Sequence, residues 1–241
     1  MTDRLLTISF GGAHPAKIVR VEHLAWPDIA QIFLQPAPEA EDKAAAGWYA
    51  FAEFDPAYRD SDNLVARHAL TFDYDHVTHA DVKHIRKMYA DLEYVMYTTA
   101  SHTAEKPRLR MLLPLSRPAG YDEFQAVSRK IAERAGIELC AREAQVPAQM
   151  MYMPTVKPGG IFRSTRNAGA WVDVDVTLAM YGDWTDRKSW PKRKDGDGTH
   201  AKTEVQIAPG DKPGLIGAFN RAFTISAAIE KFGLPFERVG E

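Results

Sequence analysis

The stretch Leu70-Thr71-Phe72-Asp73-Tyr74-Asp75-His76-Val77 alternates apolar or aromatic residues with polar ones, and that period of two predicts a strand. Leu70, Phe72 and Tyr74 share one face; Thr71, Asp73 and Asp75 share the other. Two carboxylates two residues apart on a strand face lie roughly 6 to 7 Å from each other. At neutral pH they repel unless a cation or a shared proton neutralises them. Mg²⁺ or Mn²⁺ would serve. The plainer alternative is a solvated face with two surface aspartates, and the D-x-D spacing alone leaves both open.

Downstream of this strand, Thr78-His79-Ala80-Asp81 has the form of a capping box, and Val82, Ile85, Tyr89 and Leu92 recur at helical spacing. A strand from Tyr94 to Thr99 follows, then a turn at Ala104-Glu105-Lys106-Pro107 and a strand from Arg108 to Pro114. Tyr121 to Ala135 reads as a helix with Phe124, Val127 and Ile131 on one face and Gly136 as its stop. Gln149 to Met153 and the alternating runs Ile161 to Arg166 and Trp171 to Val176 complete the pattern.

Upstream, Leu5 to Phe10 and Lys17 to Leu24 form a strand pair, and Trp26-Pro27-Asp28 opens a short helix. Glu39 to Ala46 reads as an exposed loop, and Trp48 to Phe54 as one more alternating strand. Helices interleaved with strands give an α+β class, and strand, helix, strand, strand, helix, strand is the order of a split βαβ unit.

Residues 1–181 are thus expected to form one domain. Residues 182–211, with Trp184, Trp190 and the basic cluster Lys188, Lys192, Arg193 and Lys194, have little apolar period and read as a linker. Residues 212–241 carry two short amphipathic helical stretches, a small C-terminal helical appendage.

Composition narrows the function. The 241 residues are 45% hydrophobic and 26% charged, ordinary for a globular chain, and a formal net charge of -2 argues against coating duplex DNA by bulk positive charge. The single cysteine, Cys140, excludes an internal disulfide framework and a cysteine-only zinc cluster, and fits a reducing cytoplasm. His76, His79 and His84 lie near the aspartates but lack the cysteines of a standard zinc set. No run reaches membrane-spanning length.

Other polar residues have two readings each. His102, after Ser101 at a strand end, could bond a neighbouring carbonyl or face a ligand. Arg108 and Arg110 share a strand face and suit either triphosphate oxygens or the protection of an edge strand. Lys106 is a weaker cation on the preceding turn. Met150, Met151 and Met153 read as core, while Tyr152 could stack on a base or sugar.

Together, Leu70-Thr71-Phe72-Asp73-Tyr74-Asp75, then Tyr97-Thr98-Thr99-Ala100-Ser101-His102-Thr103 with Pro107-Arg108-Leu109-Arg110 and Leu113-Pro114-Leu115-Ser116, and Gln149-Met150-Met151-Tyr152-Met153-Pro154-Thr155 resemble the archaeo-eukaryotic primase superfamily. The likeness is to the primase-polymerase region of phage and plasmid primase-helicase proteins. Lys212 to Phe223 resembles the segment that joins primase to helicase there.

The resemblance implies an RRM-like antiparallel catalytic sheet with flanking helices. It implies template-directed nucleotidyl transfer with two Mg²⁺ or Mn²⁺ ions, Asp73 and Asp75 as metal ligands, and Ser101, His102, Lys106, Arg108, Arg110 and Tyr152 around the nucleotide. A third carboxylate is implied on a later element. Of Asp122, Glu133, Glu138 and Glu143, Glu138 is chosen because it opens a new element, although the resembling proteins tend to carry aspartate there.

Implied partners are a single-stranded DNA template, nucleoside triphosphates and a helicase domain on the same full-length chain, in the cytoplasm of a bacterial host. A catalytically inactive nucleic-acid-binding initiation module of the same fold is the alternative. A D-x-D sugar-nucleotide transferase is disfavoured by the Ser101-His102 and Pro107-Arg108-Leu109-Arg110 words.

Overall fold

A computed structural model describes residues 4–194; the appendage expected at 212–241 and the later part of the linker lie outside the described residues. In chain order the elements are β1 (Leu6–Gly11), β2 (Ile18–Leu24), α1 (Trp26–Leu34), β3 (Trp48–Ala50), β4 (Ala52–Phe54), β5 (Leu64–Tyr74), α2 (His79–Met88), β6 (Tyr94–Thr98), β7 (Leu109–Ala119), α3 (Tyr121–Glu133), β8 (Met151–Tyr152), β9 (Ser164–Asn167) and α4 (Val174–Ala179).

They form two antiparallel sheets, ordered β2-β1-β3-β8 and β4-β5-β7-β6-β9. Since β7 pairs antiparallel with both β5 and β6, those two run parallel with β7 between them and α2 as their crossover. That is the expected split βαβ arrangement. The place beside β5 is taken by β4, and β9 extends the sheet at β6.

The period of two in β5 decides how the layers stack. Leu70, Phe72 and Tyr74 bury against Ile85 of α2, Tyr89 just past its end, and Phe124, Val127 and Ile131 of α3. The opposite face, through Ala69, Val95, Tyr97 and Leu112, packs with α1 (Trp26, Ile29, Phe33) and with Leu6, Ile8 and Tyr49 of the other sheet. Thr78 caps α2 as expected: its side chain accepts from Asp81 N, and Asp81 accepts from Thr78 N at 2.8 Å.

Three expectations are corrected. The single strand read over Trp48 to Phe54 is two strands in different sheets. The chain changes sheet at the fully buried Phe51, and because both sheets bury this segment the alternation runs on unbroken.

The strand read over Trp171 to Val176 ends in α4. Asp173 caps that helix by accepting from Val176 N at 3.0 Å, and this local bond outweighs the β-branched composition.

Residues 182–194, read as the start of a linker, are packed. Trp190 is 7% exposed in the helix-side core, and its indole donates to Trp184 O at 2.6 Å. Arg193 Nη1 donates to Ile137 O and Cys140 O at 2.7 and 2.6 Å. Two tryptophans and one arginine anchor a segment that lacks any periodic face.

Candidate active site

Strand register builds the centre of the site. Asp73 on β5 stands opposite Arg110 on β7, and Arg110 stands opposite Tyr97 on β6. The three side chains form a row on the face shared with Ala69, Val95 and Leu112. Directly opposed oppositely charged residues on neighbouring strands attract, and here they meet closely: Arg110 Nε donates to Asp73 Oδ1 at 2.6 Å and Nη2 to Oδ2 at 2.9 Å.

The third nitrogen of Arg110 crosses to the other sheet. Nη1 donates to Tyr152 O on β8 at 2.9 Å and to the Tyr97 hydroxyl at 3.4 Å. That hydroxyl lies 2.7 Å from the Tyr49 hydroxyl. Burial works against the guanidinium charge, but Asp73, Tyr97 and Tyr49 outweigh it and hold the Arg110 pKa well above its ordinary value. Arg110 therefore ties together β5, β6, β7 and β8 through four of its five N–H groups, and one Nη2–H remains to serve an acceptor in the cleft that Arg110 lines.

Asp75 lies just past the end of β5, with its side chain 40% exposed, and accepts one hydrogen bond, from Arg108 Nη1 at 3.1 Å. Arg108 is itself 33% exposed. This second pair is open where the first is closed.

Both pairs line one cleft of about 130 Å³, together with Lys43, Ser101, Tyr152 and Thr155. Six of the nine residues singled out from sequence meet there: Asp73, Asp75, Ser101, Arg108, Arg110 and Tyr152.

His102 lies beside the cleft, not in it. It lines a neighbouring cavity of about 440 Å³ with His79, Arg86, Leu109 and Arg163. Its Nδ1 accepts from Arg108 N at 3.1 Å, which leaves the ring proton of the neutral form on Nε2. Burial, Arg163 and His79 lower its pKa. Lys106 lies exposed on the 99–107 loop and lines neither space.

Glu138 does not join the aspartates, contrary to expectation. It sits exposed in a 3₁₀ turn whose flanking residues, Ile137 and Cys140, pack in the helix-side core. Its carboxylate accepts from Lys194 N at 3.2 Å, and its own amide and that of Lys194 hold its pKa below the ordinary value. Arg193 grips the carbonyls of the same turn, so the turn is fixed by the packed 182–194 segment. Among the described residues, no three His, Cys, Asp or Glu side chains stand close enough to hold a metal ion.

A Mg²⁺ or Mn²⁺ ion needs only one or two carboxylates when water and phosphate oxygens complete its shell. Asp75 fits this, because Arg108 occupies only one of its oxygens. Asp73 also fits, because each of its oxygens accepts one bond from Arg110 and keeps a second lone pair.

The sequence reading missed Lys43, Thr155 and Arg163. Lys43 lies in a loop read as merely exposed, and nothing in its neighbourhood signals that the loop returns to the cleft.

The fold and site are those of an α+β domain with an acidic and basic cleft at the end of a split βαβ sheet. Residues 39–193, well over half of the chain, match the family described as VapE N-terminal domain, and the chain belongs to that family. The match agrees with the resemblance to phage and plasmid primase-helicase proteins. Among solved structures, the AEP domain of the primase-polymerase of cyanophage S-2L is similar, with a TM-score of 0.45 and 8% identity over 74% of this chain and 89% of that one. No curated protein matches the sequence. No helix among the described residues is long and apolar enough to cross a membrane.

Proposed function

We propose that this chain carries out template-directed nucleotidyl transfer in phage or plasmid replication. The 3′-hydroxyl of a growing strand attacks the α-phosphate of a nucleoside triphosphate held in the cleft; a new phosphodiester bond forms and pyrophosphate leaves. The reading is carried by the meeting of Asp73 and Asp75 with Arg108, Ser101 and Tyr152 in one cleft, in a family that fits the primase resemblance.

Mg²⁺ or Mn²⁺, two ions when fully loaded, would supply charge stabilisation to the entering and leaving oxygens. The rest falls to the chain. Asp75 offers its open oxygen, and Asp73 offers the lone pairs that Arg110 does not use. Arg108 leaves Asp75 for the phosphates, so its guanidinium exchanges one anion for another. The Ser101 hydroxyl donates to the same phosphates, and His102 reaches toward them from the adjoining cavity with Nε2–H. The template is single-stranded DNA, the helicase lies on the full-length chain beyond the segment at 212–241, and the compartment is the bacterial host's cytoplasm.

The second reading, a nucleic-acid-binding initiation module without catalysis, draws on two observations: Arg110 holds both oxygens of Asp73, and Glu138 is turned away. Incubation with labelled nucleotides, single-stranded DNA and Mg²⁺ or Mn²⁺, with and without a primer, separates the two. Labelled product supports transfer. DNA binding without product supports the module.

A further inference from the structure

The loop before β3 is a strap tied to residues 153 and 156, in the segment just past β8 that lines one wall of the cleft. At its start, Ala40 N donates to Val156 O at 2.9 Å and Val156 N to Pro38 O at 3.0 Å. At its end, Met153 N donates to Gly47 O at 3.0 Å. Gly47 takes φ +76°, and a Cβ there would lie 2.4 Å from Gly11 O, so the closing turn requires glycine.

Between these anchors Asp42 accepts from Ala44 N at 2.9 Å and starts a 3₁₀ turn, Lys43–Ala46. The arch sets Lys43 Nζ 4.9 Å from the centroid of the Tyr152 ring, at the mouth of the cleft.

Three cations line this cleft. Arg110 and Arg108 are paired with Asp73 and Asp75. Among the described residues, Lys43 has no carboxylate partner. An exposed ammonium over a tyrosine face gains only about 0.5 to 1 kcal/mol, so a phosphate is a stronger partner for it. The same ring face is what a nucleobase or sugar would stack on, and the ammonium and the base compete for it.

We propose, on the basis of the function proposed above, that Lys43 and Tyr152 form an exchange clasp for the incoming nucleoside triphosphate. Lys43 lifts from the ring to bind phosphate oxygens, and the vacated Tyr152 face takes the base or sugar. Net charge supports this occupant: two aspartates against three cations leave the cleft lining positive. The strap, bonded at both ends, keeps Lys43 within reach in either state.

The test is calorimetric titration of the full chain with a non-hydrolysable deoxynucleoside triphosphate in Mg²⁺, at several salt concentrations. K43M is expected to weaken binding by about tenfold and to flatten the dependence of Kd on salt, while K43R stays close to wild type. Y152L is expected to lose about tenfold or more, while Y152F is spared. K43M binding as tightly as wild type, with an unaltered salt dependence, overturns the phosphate contact; Y152L binding as tightly overturns the exchange. Absence of triphosphate binding by the wild type overturns the proposed function itself, an outcome distinct from both.

Discussion

Arg110 meets Asp73 as a two-pronged pair at 2.6 and 2.9 Å, with the side chains only 11% and 18% exposed, while the neighbouring pair of Arg108 and Asp75 shares one bond at 3.1 Å and is two to three times more exposed. The inner pair is therefore closed off and bonded twice, and the outer pair is open to solvent and bonded once.

Removing one partner of a buried pair strands the other charge, at a cost of about 3 kcal/mol or more. Arg110→Gln is expected to destabilise the protein by about that much in urea unfolding. The double variant with Asp73→Asn should lose less than the sum of the single losses, because the stranded carboxylate is gone. Additive losses would show that the two residues do not act as a pair.

The outer pair gives effects of opposite sign. Arg108 competes with any cation for Asp75, so Arg108→Gln should tighten Mn²⁺ binding by the nucleotide-free protein roughly threefold to tenfold. The same change should weaken triphosphate binding about tenfold. Mn²⁺ titration followed by electron paramagnetic resonance reads the first effect and calorimetry the second. Losses in both titrations would mean that Arg108 only supports the structure.

His68 gives the pH dependence. It is 5% exposed, and burial, then Arg4, Arg67 and His23, push its pKa down to about 4. The unfolded chain takes up this proton near pH 6.5 and the folded protein only near 4, so stability falls as pH drops through that window. The loss is as much as about 3 kcal/mol. His68→Phe should flatten the slope of unfolding free energy between pH 6.5 and 4, whatever it does to stability at pH 7. An unchanged slope would assign the acid sensitivity to other groups.

The parts of the site that were legible in sequence were those carried by local period. Asp73 and Asp75, and likewise Arg108 and Arg110, announce themselves through two-residue spacing. That Asp73 and Arg110 face each other, 37 positions apart, depends on strand register, which no local pattern encodes. Chain order points to Glu138, but its turn is held by Arg193 and Lys194 from a segment with no hydrophobic period. Lys43 was invisible for a similar reason: the strap returns to the cleft through backbone bonds to residues 153 and 156, and these leave no trace in side-chain pattern. The helix α4 was hidden by Val174, Val176 and Thr177, residues that favour strands until a capping aspartate overrides them.

The central claim is that Asp73 and Asp75 serve nucleotide transfer. Its most direct test is the rate at which wild type, Asp73→Asn and Asp75→Asn extend a labelled primer on a single-stranded DNA template in Mn²⁺ or Mg²⁺, with folding verified by circular dichroism. The wild type should make product, and each substitution should slow it by about a thousandfold or more, the scale of losing several kcal/mol of transition-state stabilisation. Extension by either folded variant at the wild-type rate, or no extension by the wild type in either metal, would contradict the account.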